Sequence, residues 1–425
     1  MMKNARLLAE EKFDRKRAYI QIIELNHWLN DRYKREYYIV LTKNKPLYSK
    51  LFISAAALLS ILITYTYARS MTVIYGGLEL VLAAACYFLI FKNVKGPDHL
   101  IIGLFGILTT FSFLNGILYN DLKSVLLLSL SLVLPISISV LNLEFSNDGK
   151  EFFWGFLIGF IIILGQSTTG FLGRINSNTF GFYCYMAVSI GFIWYKQAKH
   201  KIFPLILILF GCYLSSGAGS RNVAIISLLM FLLLLLPDRV FKSKIFFRVL
   251  YIIALSYTVF AANIMEWIFE QEKLAAWLIE YTEGFSDKAW GMEERIGFLR
   301  EVRGKIGRLN LYNKIFGEGV LKRHGHNMFY QSIFIYGYLG TFLLYALYVR
   351  VFEMAYTLIK EENDKIAIGC FIALIGMFLL NGGDLFLVGT ETCAIIPQVM
   401  MGMIMLRYRQ HQQNKKLQNT ALESV

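Results

Sequence analysis

Charged residues are scarce in this chain. Asp, Glu, Lys and Arg make up 17% of its 425 residues, whereas 56% are hydrophobic and 15% are aromatic. Soluble chains carry about 25% charged and roughly 45–50% apolar residues, so this composition argues against a soluble protein. The apolar residues form continuous runs, as in membrane helices of about 20 residues, whereas a β-barrel would alternate apolar and polar positions. The sequence therefore predicts an all-α, polytopic membrane protein.

Several signatures of known chemistry are missing from the sequence. No P-loop G-x-x-x-x-G-K-[ST] is present, which argues against nucleotide hydrolysis. No D-x-D motif of the kind that holds a metal–sugar-nucleotide is present, and no chain of acids inside the apolar runs suggests an ion pathway. No cleavable signal peptide is predicted, because the first 48 or so residues are hydrophilic.

Cysteine is also rare, and its five occurrences form no C-x-x-C pair. Each lies in or at the edge of an apolar run, and the positions are Cys86, Cys184, Cys212, Cys370 and Cys393. We interpret them as small core residues, with neither a disulfide nor a metal site implied.

About twelve apolar runs divide the chain. They cover residues 50–68, 72–91, 99–118, 124–143, 152–169, 178–195, 202–215, 222–237, 245–264, 327–349, 366–383 and 388–406. The predicted organisation is a basic cytoplasmic segment at 1–48, spans 1–9 within 49–264, a long loop at 265–326, spans 10–12 within 327–406 and a cytoplasmic tail at 407–425. An amphipathic helix around "RAYIQIIELNHWL" would lie near anionic lipid or dock a partner, and the tail is expected to be disordered.

The distribution of positive charge predicts the orientation. With a cytoplasmic N-terminus, the inner loops near 92–98, 144–151, 196–201, 238–248 and 350–365 carry 13 Lys plus Arg, and the outer loops carry four. Cytoplasmic loops of membrane proteins are enriched in Lys and Arg. Both termini are therefore expected inside, the loop 265–326 outside, and the net charge of +13 is attributed to loops facing anionic lipid rather than nucleic acid.

The long outer loop predicts two amphipathic helices on or near the membrane surface. "EWIFEQEKLAAWLIEYT" places Trp267, Leu274, Leu278 and Tyr281 on one helical face. "MEERIGFLREVRGKIGRLNL" does the same with Met292, Ile296, Leu299, Ile306 and Leu309. Charge is segregated, since 265–294 hold eight acids and two bases, while 295–323 hold eight bases and two acids.

Two arginines fall on the outer side against the charge bias. Arg174 lies in "TGFLGRINSNTFG", and Arg221 lies in "SSGAGSRNVAII", where Ser220 and other small residues precede it and a helix follows at once. Free N–H groups at a helix N-terminus bind anions, and an arginine adds a forked donor suited to phosphate. The alternative interpretation is a Gly/Ser turn with a snorkelling arginine.

Two histidines, His324 and His326, also face the predicted outer side, and Asn327 follows at a helix start. Histidine can take a proton from a sugar hydroxyl near neutral pH, which makes His326 a candidate base. The alternative is an ordinary interfacial histidine. A metal site is not expected, because no Cys, Asp or Glu completes a ligand set at suitable spacing.

Weaker candidates lie nearby. Asp384 and Glu391 in "NGGDLFLVGTE" could supply a second base or bind an acceptor, although hydrated turn residues are the alternative, and Glu318 in "FGEG" is similarly ambiguous. The basic loop helix carries a patch that could grip phosphate or lipid headgroups, and its members are Arg295, Arg300 and Arg303.

The ordered set "SGAGSRNVAII", long outer loop, "FGEG" and "HNMFYQSIFIYGYLG" resembles the O-antigen ligase/polymerase superfamily (WaaL and Wzy types). In that family a Ser-Gly-Ser-Arg stretch enters a helix, and a Gly-x-Gly follows the large loop. A His-Asn then opens a helix that ends in Gly-x-x-Gly. The matching positions are Ser216, Ser220, Arg221, Gly317, Gly319, His326, Asn327, Gly337 and Gly340. Arg295 loosely resembles the family's loop arginine, and the inserted "GAG" before Arg221 departs from the pattern.

The resemblance implies a GT-C-like enzyme that needs no metal or cofactor and inverts the sugar configuration at the outer face of the cytoplasmic membrane. The donor would be a glycan on undecaprenyl diphosphate, held by Arg221 with Arg174 or Arg295, and His326 would activate or orient the acceptor hydroxyl. We expect a polymerase acting beside a flippase and a chain-length regulator. The alternatives are a ligase that uses another acceptor, a flippase or transporter, and a structural scaffold.

Overall fold

The structure is a computed structural model that describes residues 99–118, 133–140, 177–217, 220–271, 290–318, 327–382 and 395–423, with single positions between 55 and 88 and at 161. These residues belong to one compact unit, Phe52–Val425. Every regular element among them is a helix, which confirms the all-α class. The predicted N-terminal helix lies outside the described residues, as do most residues of the spans at 50–68, 72–91 and 152–169.

Each predicted apolar run that lies among the described residues is covered at least in part by a helix. They are α1 (His99–Leu118), α2 (Ser177–Gln197), α3 (Ile202–Gly217), α4 (Arg221–Leu234), α5 (Asp238–Phe241), α6 (Lys244–Glu270), α7 (Trp290–Gly307), α8 (Leu311–Phe316), α9 (Met328–Glu362), α10 (Lys365–Leu380) and α11 (Ile395–Glu423). Residues 133–139 are also helical. Helix α6 runs six residues beyond the predicted end of its span, so the predicted outer loop starts within a helix. Helix α9 runs 13 residues beyond its predicted end at 349, so most of the predicted loop 350–365 is helical.

Asn and Asp side chains determine several of these boundaries. Asn310, Asn327 and Asp364 stand at the N-caps of α8, α9 and α10, and each accepts a hydrogen bond from a backbone N–H of the first turn. Such caps satisfy donors that have no partner inside the helix. Helix α9 ends at Asn363, whose φ of 55° is the left-handed conformation that Asn tolerates.

Helices α2 and α4 run side by side in the same direction. Near their N-termini, Gly181 lies so close to Ser220 that a Cβ at Gly181 would overlap the serine side chain. Further along, the rings of Tyr195 and Phe231 meet edge-on with centroids 6.4 Å apart. Both helices therefore begin at the same end of the bundle.

Helix α10 runs against α2. Gly369 lies on the backbone of Ile193, and Gly376 lies on Tyr185, whose hydroxyl donates to the carbonyl of Ala373 over 2.9 Å. The C-terminus of α10 therefore lies where α2 and α4 begin. The first residue of α9 also lies there, because the N–H of Met328 donates to the Asn381 carbonyl over 3.0 Å. We call this end, where α2, α4 and α9 begin, the motif end.

The opposite end, which we call the ion-pair end, gathers charges from loops predicted to be cytoplasmic. Lys196 pairs with Asp238 at 2.7 Å. Arg248 binds Glu353 through two hydrogen bonds of 2.8 and 2.9 Å. Stacked aromatic rings, among them Phe247 on Phe371 with centroids 3.8 Å apart, fill the space between these pairs. The predicted inner segments 196–201, 238–248 and 350–365 thus meet at one end.

The prediction that the C-terminal tail is disordered is wrong for the described residues. Helix α11 continues to Glu423, and its second half is tied to the end of α9. The ring nitrogens Nδ1 and Nε2 of His411 lie 2.6 and 2.9 Å from carboxylate oxygens of Glu362 and Glu361. Arg407 pairs with Asp364 at the start of α10. These contacts order a stretch whose composition alone suggested disorder.

Two described helices are long and apolar enough to cross a membrane, over Lys244–Ile268 in α6 and Met328–Glu362 in α9. Shorter apolar helical stretches cover Leu100–Thr110, Ile202–Gly217, Asn222–Leu234 and Lys365–Leu380. Helices α3 and α4 also expose large apolar side chains, including Phe203, Ile206, Tyr213, Ile225 and Leu232. The findings therefore favour membrane association, and the twelve-span topology with its orientation remains a prediction.

The described cysteines fit their interpretation as core residues. Cys86, Cys184 and Cys370 are buried, Cys212 is half-buried, and all four are free thiols. Cys393 lies outside the described residues.

Candidate functional site

Asn327 is fully buried at the start of α9 and uses both ends of its carboxamide. Its Oδ1 accepts hydrogen bonds from the N–H groups of Phe329 (2.8 Å) and Tyr330 (3.2 Å), which caps the helix. Its Nδ2 donates to the carbonyls of Thr258 in α6 (2.8 Å) and Gly382 just after α10 (2.9 Å). A primary amide has two donor hydrogens and two acceptor lone pairs, so this side chain is saturated. The residue that follows His326 is therefore fixed to three helices.

Two glycines of the sequence motifs meet backbone to backbone. Gly317, just after α8, and Gly337, inside α9, have φ angles of 80° and 67°. A Cβ at Gly317 would collide with the Ile335 carbonyl, and one at Gly337 would collide with that of Ile315. Only glycine combines this conformation with such an approach. Gly317 is thereby packed against a break in α9 at Gly337.

The same junction is closed by hydrogen bonds from both sides. The N–H of Glu318 donates to the carbonyl of Phe334 over 2.6 Å. From α1, Asn115 donates through Nδ2 to the carbonyl of Phe316 over 2.9 Å. Glu318 is half-buried. The sequence interpretation missed Asn115, although the sequence shows this amide side chain within the apolar run 99–118.

The start of α4 holds the second group of motif residues. Ser220 is the N-cap residue, is 6% exposed and makes no side-chain capping hydrogen bond. Its side chain packs beside Gly181. Arg221 is the first helical residue of α4, and its side chain lies outside the description. Helix α2 begins at Ser177, three positions after Arg174 in the sequence. The structure therefore brings the starts of α2 and α4 together.

Helix α7 carries the basic half of the predicted outer loop. Its apolar face packs against α6 and α9, and the buried cluster contains Ala262, Leu299, Val302, Ile306, Leu309, Tyr330, Ile333 and Phe334. Leu299, Ile306 and Leu309 are on the predicted face, whereas the side chains of Met292 and Ile296 lie outside the description. Other helices therefore cover this apolar face, and a location of α7 near the membrane surface stays a prediction.

The arginines of α7 have a protein partner. Arg300 Nε donates to Glu266 Oε1 over 3.1 Å, and Arg303 pairs with the same carboxylate while its Nη1 lies 3.5 Å from Asn263 Oδ1. The hydrogen bond to Glu266 raises the pKa of the Arg303 guanidinium. Both cations therefore hold α7 to the end of α6, which the sequence interpretation did not foresee for Glu266. The side chain of Arg295, also in α7, is outside the description.

The remaining predicted residues are Arg174, His324, His326, Asp384, Glu391 and Gly319, and they lie outside the described part of the chain. Leu274, Leu278 and Tyr281 of the first predicted loop helix do so as well, whereas Trp267 belongs to α6. Within the described residues, no three His, Cys, Asp or Glu side chains come together in a group that could hold a metal ion.

Three helices begin at the motif end. The N-termini of α2, α4 and α9 lie there, and each helix N-terminus carries roughly half a positive charge. The last carbonyls of α10 carry the opposite partial charge, but those of Asn381 and Gly382 already accept hydrogen bonds from the start of α9. Three helices thus begin at this end, with Arg221 at the start of α4 and, in the sequence, His326 directly before the start of α9.

Comparison with known proteins yields no relative: no family model, no curated protein and no solved structure matches the chain.

Proposed function

We propose that this protein is a membrane glycosyltransferase of the Wzy polymerase type, which transfers a glycan from undecaprenyl diphosphate to a lipid-linked repeat unit at the outer face of the cytoplasmic membrane. One observation carries the proposal. The start of α4, where Ser220 and Arg221 stand, and the start of α9, which follows His326, belong to the same end of the bundle. In sequence these starts are more than a hundred residues apart, so their common end supports one shared site.

The proposed glycosyl transfer needs a group that binds the diphosphate anion and a base. The acceptor hydroxyl oxygen attacks the anomeric carbon from the side opposite the diphosphate, and the bond from that carbon to the diphosphate oxygen breaks. The bonding electrons leave with the diphosphate, whose growing charge Arg221, helped by Arg174 or Arg295, stabilises together with the nearby helix N-termini. His326 accepts the proton of the hydroxyl. The attack from the opposite side inverts the configuration.

The membrane setting fits a lipid-linked donor. The exposed apolar side chains of α3 and α4 lie on helices that meet the motif end at Gly217 and Arg221. A polyprenyl chain dissolved in the bilayer would thus reach a diphosphate site at the membrane boundary. The charges of the ion-pair end lie at the other end of the same helices, as the predicted cytoplasmic side requires.

The proposal is tested in cells that make lipid-linked repeat units but lack this protein. Reintroduced wild-type protein is expected to restore long glycan chains, whereas Arg221→Ala and His326→Ala are expected to abolish them at equal protein level and membrane insertion. Matched controls are Arg239→Ala and His200→Ala, which remove exposed side chains of the same kinds from the ion-pair end. Normal chain-length ladders in both motif variants would rule out the enzymatic assignment.

A second experiment separates polymerase from ligase. Purified protein in lipid nanodiscs receives only the undecaprenyl-diphosphate-linked glycan extracted from the cells lacking this protein. A polymerase extends this material because donor and acceptor are the same molecule. A ligase leaves it unchanged until another acceptor is added, and a flippase changes its sidedness in vesicles without lengthening it.

A further inference from the structure

We infer that Asn327 is a positioning residue, and that it acts through the two N–H donors of its carboxamide and not through its role as a helix cap. The inference rests on the proposed function, since what Asn327 positions is the base His326. Asn327 contacts no substrate in the proposed reaction: it is fully buried, and its four side-chain hydrogen bonds all go to protein backbone.

The Oδ1 and Nδ2 atoms of the Asn327 carboxamide have different partners. Oδ1 caps α9, and Ser, Thr or Asp would serve in that role nearly as well. Nδ2 reaches outside its own helix to carbonyls of α6 and of the turn after α10, which are 69 and 55 positions away in sequence. Among the residues that cap helices well, only Asn supplies two donors together with the acceptor.

Asn310, at the start of α8, shows the contrast. Its Oδ1 accepts from the N–H of Asn313 over 2.7 Å, which is the capping bond, and the residue is exposed. At an exposed N-cap, Asn can be replaced by Asp, because water satisfies the hydrogen-bonding groups that do not cap the helix. At Asn327 the same exchange would aim a carboxylate oxygen at two buried carbonyls, which repel it and lose their donor.

Asn327 forms a brace between α6, α9 and the turn after α10, and His326 directly precedes this brace in the chain. His326 is joined to Asn327 by one peptide bond, so its Cα lies about 3.8 Å from an immobilised one. Upstream, the N–H of Glu318 is bonded to the carbonyl of Phe334 in the same helix α9. Phe334 lies seven residues beyond Asn327, a rise of about 10 Å along the helix. Residues 319–326 therefore connect two points that α9 itself holds.

A base displaced by 1 Å can lose about 100-fold in rate. Loosening the start of α9 should therefore reduce turnover more than substrate binding, because the donor's diphosphate is held elsewhere. This separates a positioning role from a general loss of structure, which would lower the amount of active protein without changing the turnover of what remains.

The experiment uses full-length protein in nanodiscs with the lipid-linked glycan extract as substrate. Asn327→Asp and Asn327→Ser both keep the capping acceptor and lose the paired donors. We expect kcat per folded protein to fall at least about tenfold in both variants, KM to stay within about threefold, and hydrogen exchange of residues 329–333 to accelerate. Asn310→Asp is expected to leave kcat, KM and exchange in α9 unchanged.

A stability control makes the result specific. Glu353→Gln weakens the half-buried pair with Arg248 at the ion-pair end, so it lowers the melting temperature without changing a contact at the motif end. Wild-type kcat in either folded Asn327 variant, or a kcat loss equal to that of Glu353→Gln at matched stability, would overturn the inference. Failure of both variants to fold would overturn it too, because the contact would then be a requirement of folding.

The outcomes also distinguish this inference from the proposed function. An active His326→Ala variant refutes the function while the exchange measurement still reports on the brace. An inactive His326→Ala variant together with a fully active Asn327→Asp variant leaves the function standing and rejects the positioning role.

Discussion

Gly317 and Gly337 face one another with no side chain between them. Each has a positive φ angle, and the side of each Cα that would carry a Cβ is occupied by backbone of the other segment. The hydrogen bond from Glu318 to Phe334 runs beside this contact. The sequence interpretation assigned these glycines to separate motifs, "FGEG" and "YGYLG", whereas the fold makes them the two halves of one junction.

The junction predicts a large effect of a single methyl group. Gly317→Ala or Gly337→Ala should each destabilise the protein by at least about 1–3 kcal/mol, the cost of a non-glycine residue in this backbone region, with the collision added. Gly304→Ala in α7 is the control, because a Cβ there meets nothing within 4 Å. It should stabilise by roughly 0.5–1 kcal/mol. Thermal unfolding in detergent measures all three, and equal effects of the three substitutions would contradict the junction.

The attachment of α7 to α6 predicts unequal contributions from its arginines. Arg303→Ala should cost about 1 kcal/mol and Arg300→Ala less than about 0.5 kcal/mol, because the Arg300 side chain is 59% exposed and its pair is screened by water. Lys305→Ala, which breaks only a pair with Glu301 on the same helix, should be nearly neutral. The free energies of unfolding of the three variants, compared with that of the wild type, test this order. A larger loss for Lys305 than for Arg303 would mean that Glu266 does not hold α7.

The contacts of His411 predict that it orders the second half of α11. Removing the imidazole in His411→Ala leaves Glu361 and Glu362 without their partner on α11, apart from the longer 3.4 Å pair of Lys415 with Glu361. Amide exchange of residues 412–420 should accelerate at least about tenfold, while exchange in α9 before residue 350 should not change. The control is Gln413→Ala, at an exposed position of the same helix. Equal exchange in both variants would show that helix propensity alone orders the tail.

The exposed apolar side chains of α4 predict contact with lipid. Spin labels at Ile225 and Leu232, which are 62% and 54% exposed, should collide frequently with oxygen and rarely with a water-soluble nickel complex in proteoliposomes. A label at the exposed Lys242 of the ion-pair end should show the reverse. Oxygen concentrates in hydrocarbon and the nickel complex stays in water. High nickel accessibility at Ile225 and Leu232 would mean that water, not lipid, covers this face.

The sequence by itself determined the local structure well. Continuous apolar runs predicted the positions of the helices because burial or lipid contact needs a whole helix surface, and the run 99–118 coincides with α1. The boundary between His326 and Asn327 was predicted as a helix start, and the N-cap confirms it. Charge counting also separated the loops that meet at the ion-pair end from the motif residues. Each of these signals comes from residues close together in the chain.

Only the tertiary structure decided what those residues contact. The hydrogen bond between Asn115 and Phe316 joins positions 201 residues apart, and no local pattern encodes such a pairing. The amphipathic face of α7 is equally compatible with lipid and with protein, and in the fold it packs against α6 and α9. Asn327 could have been a plain cap, but the nearby carbonyls of Thr258 and Gly382 made it a brace between three helices. Amphipathicity and capping are properties of a single helix, whereas a site requires distances between helices, and packing alone sets those distances.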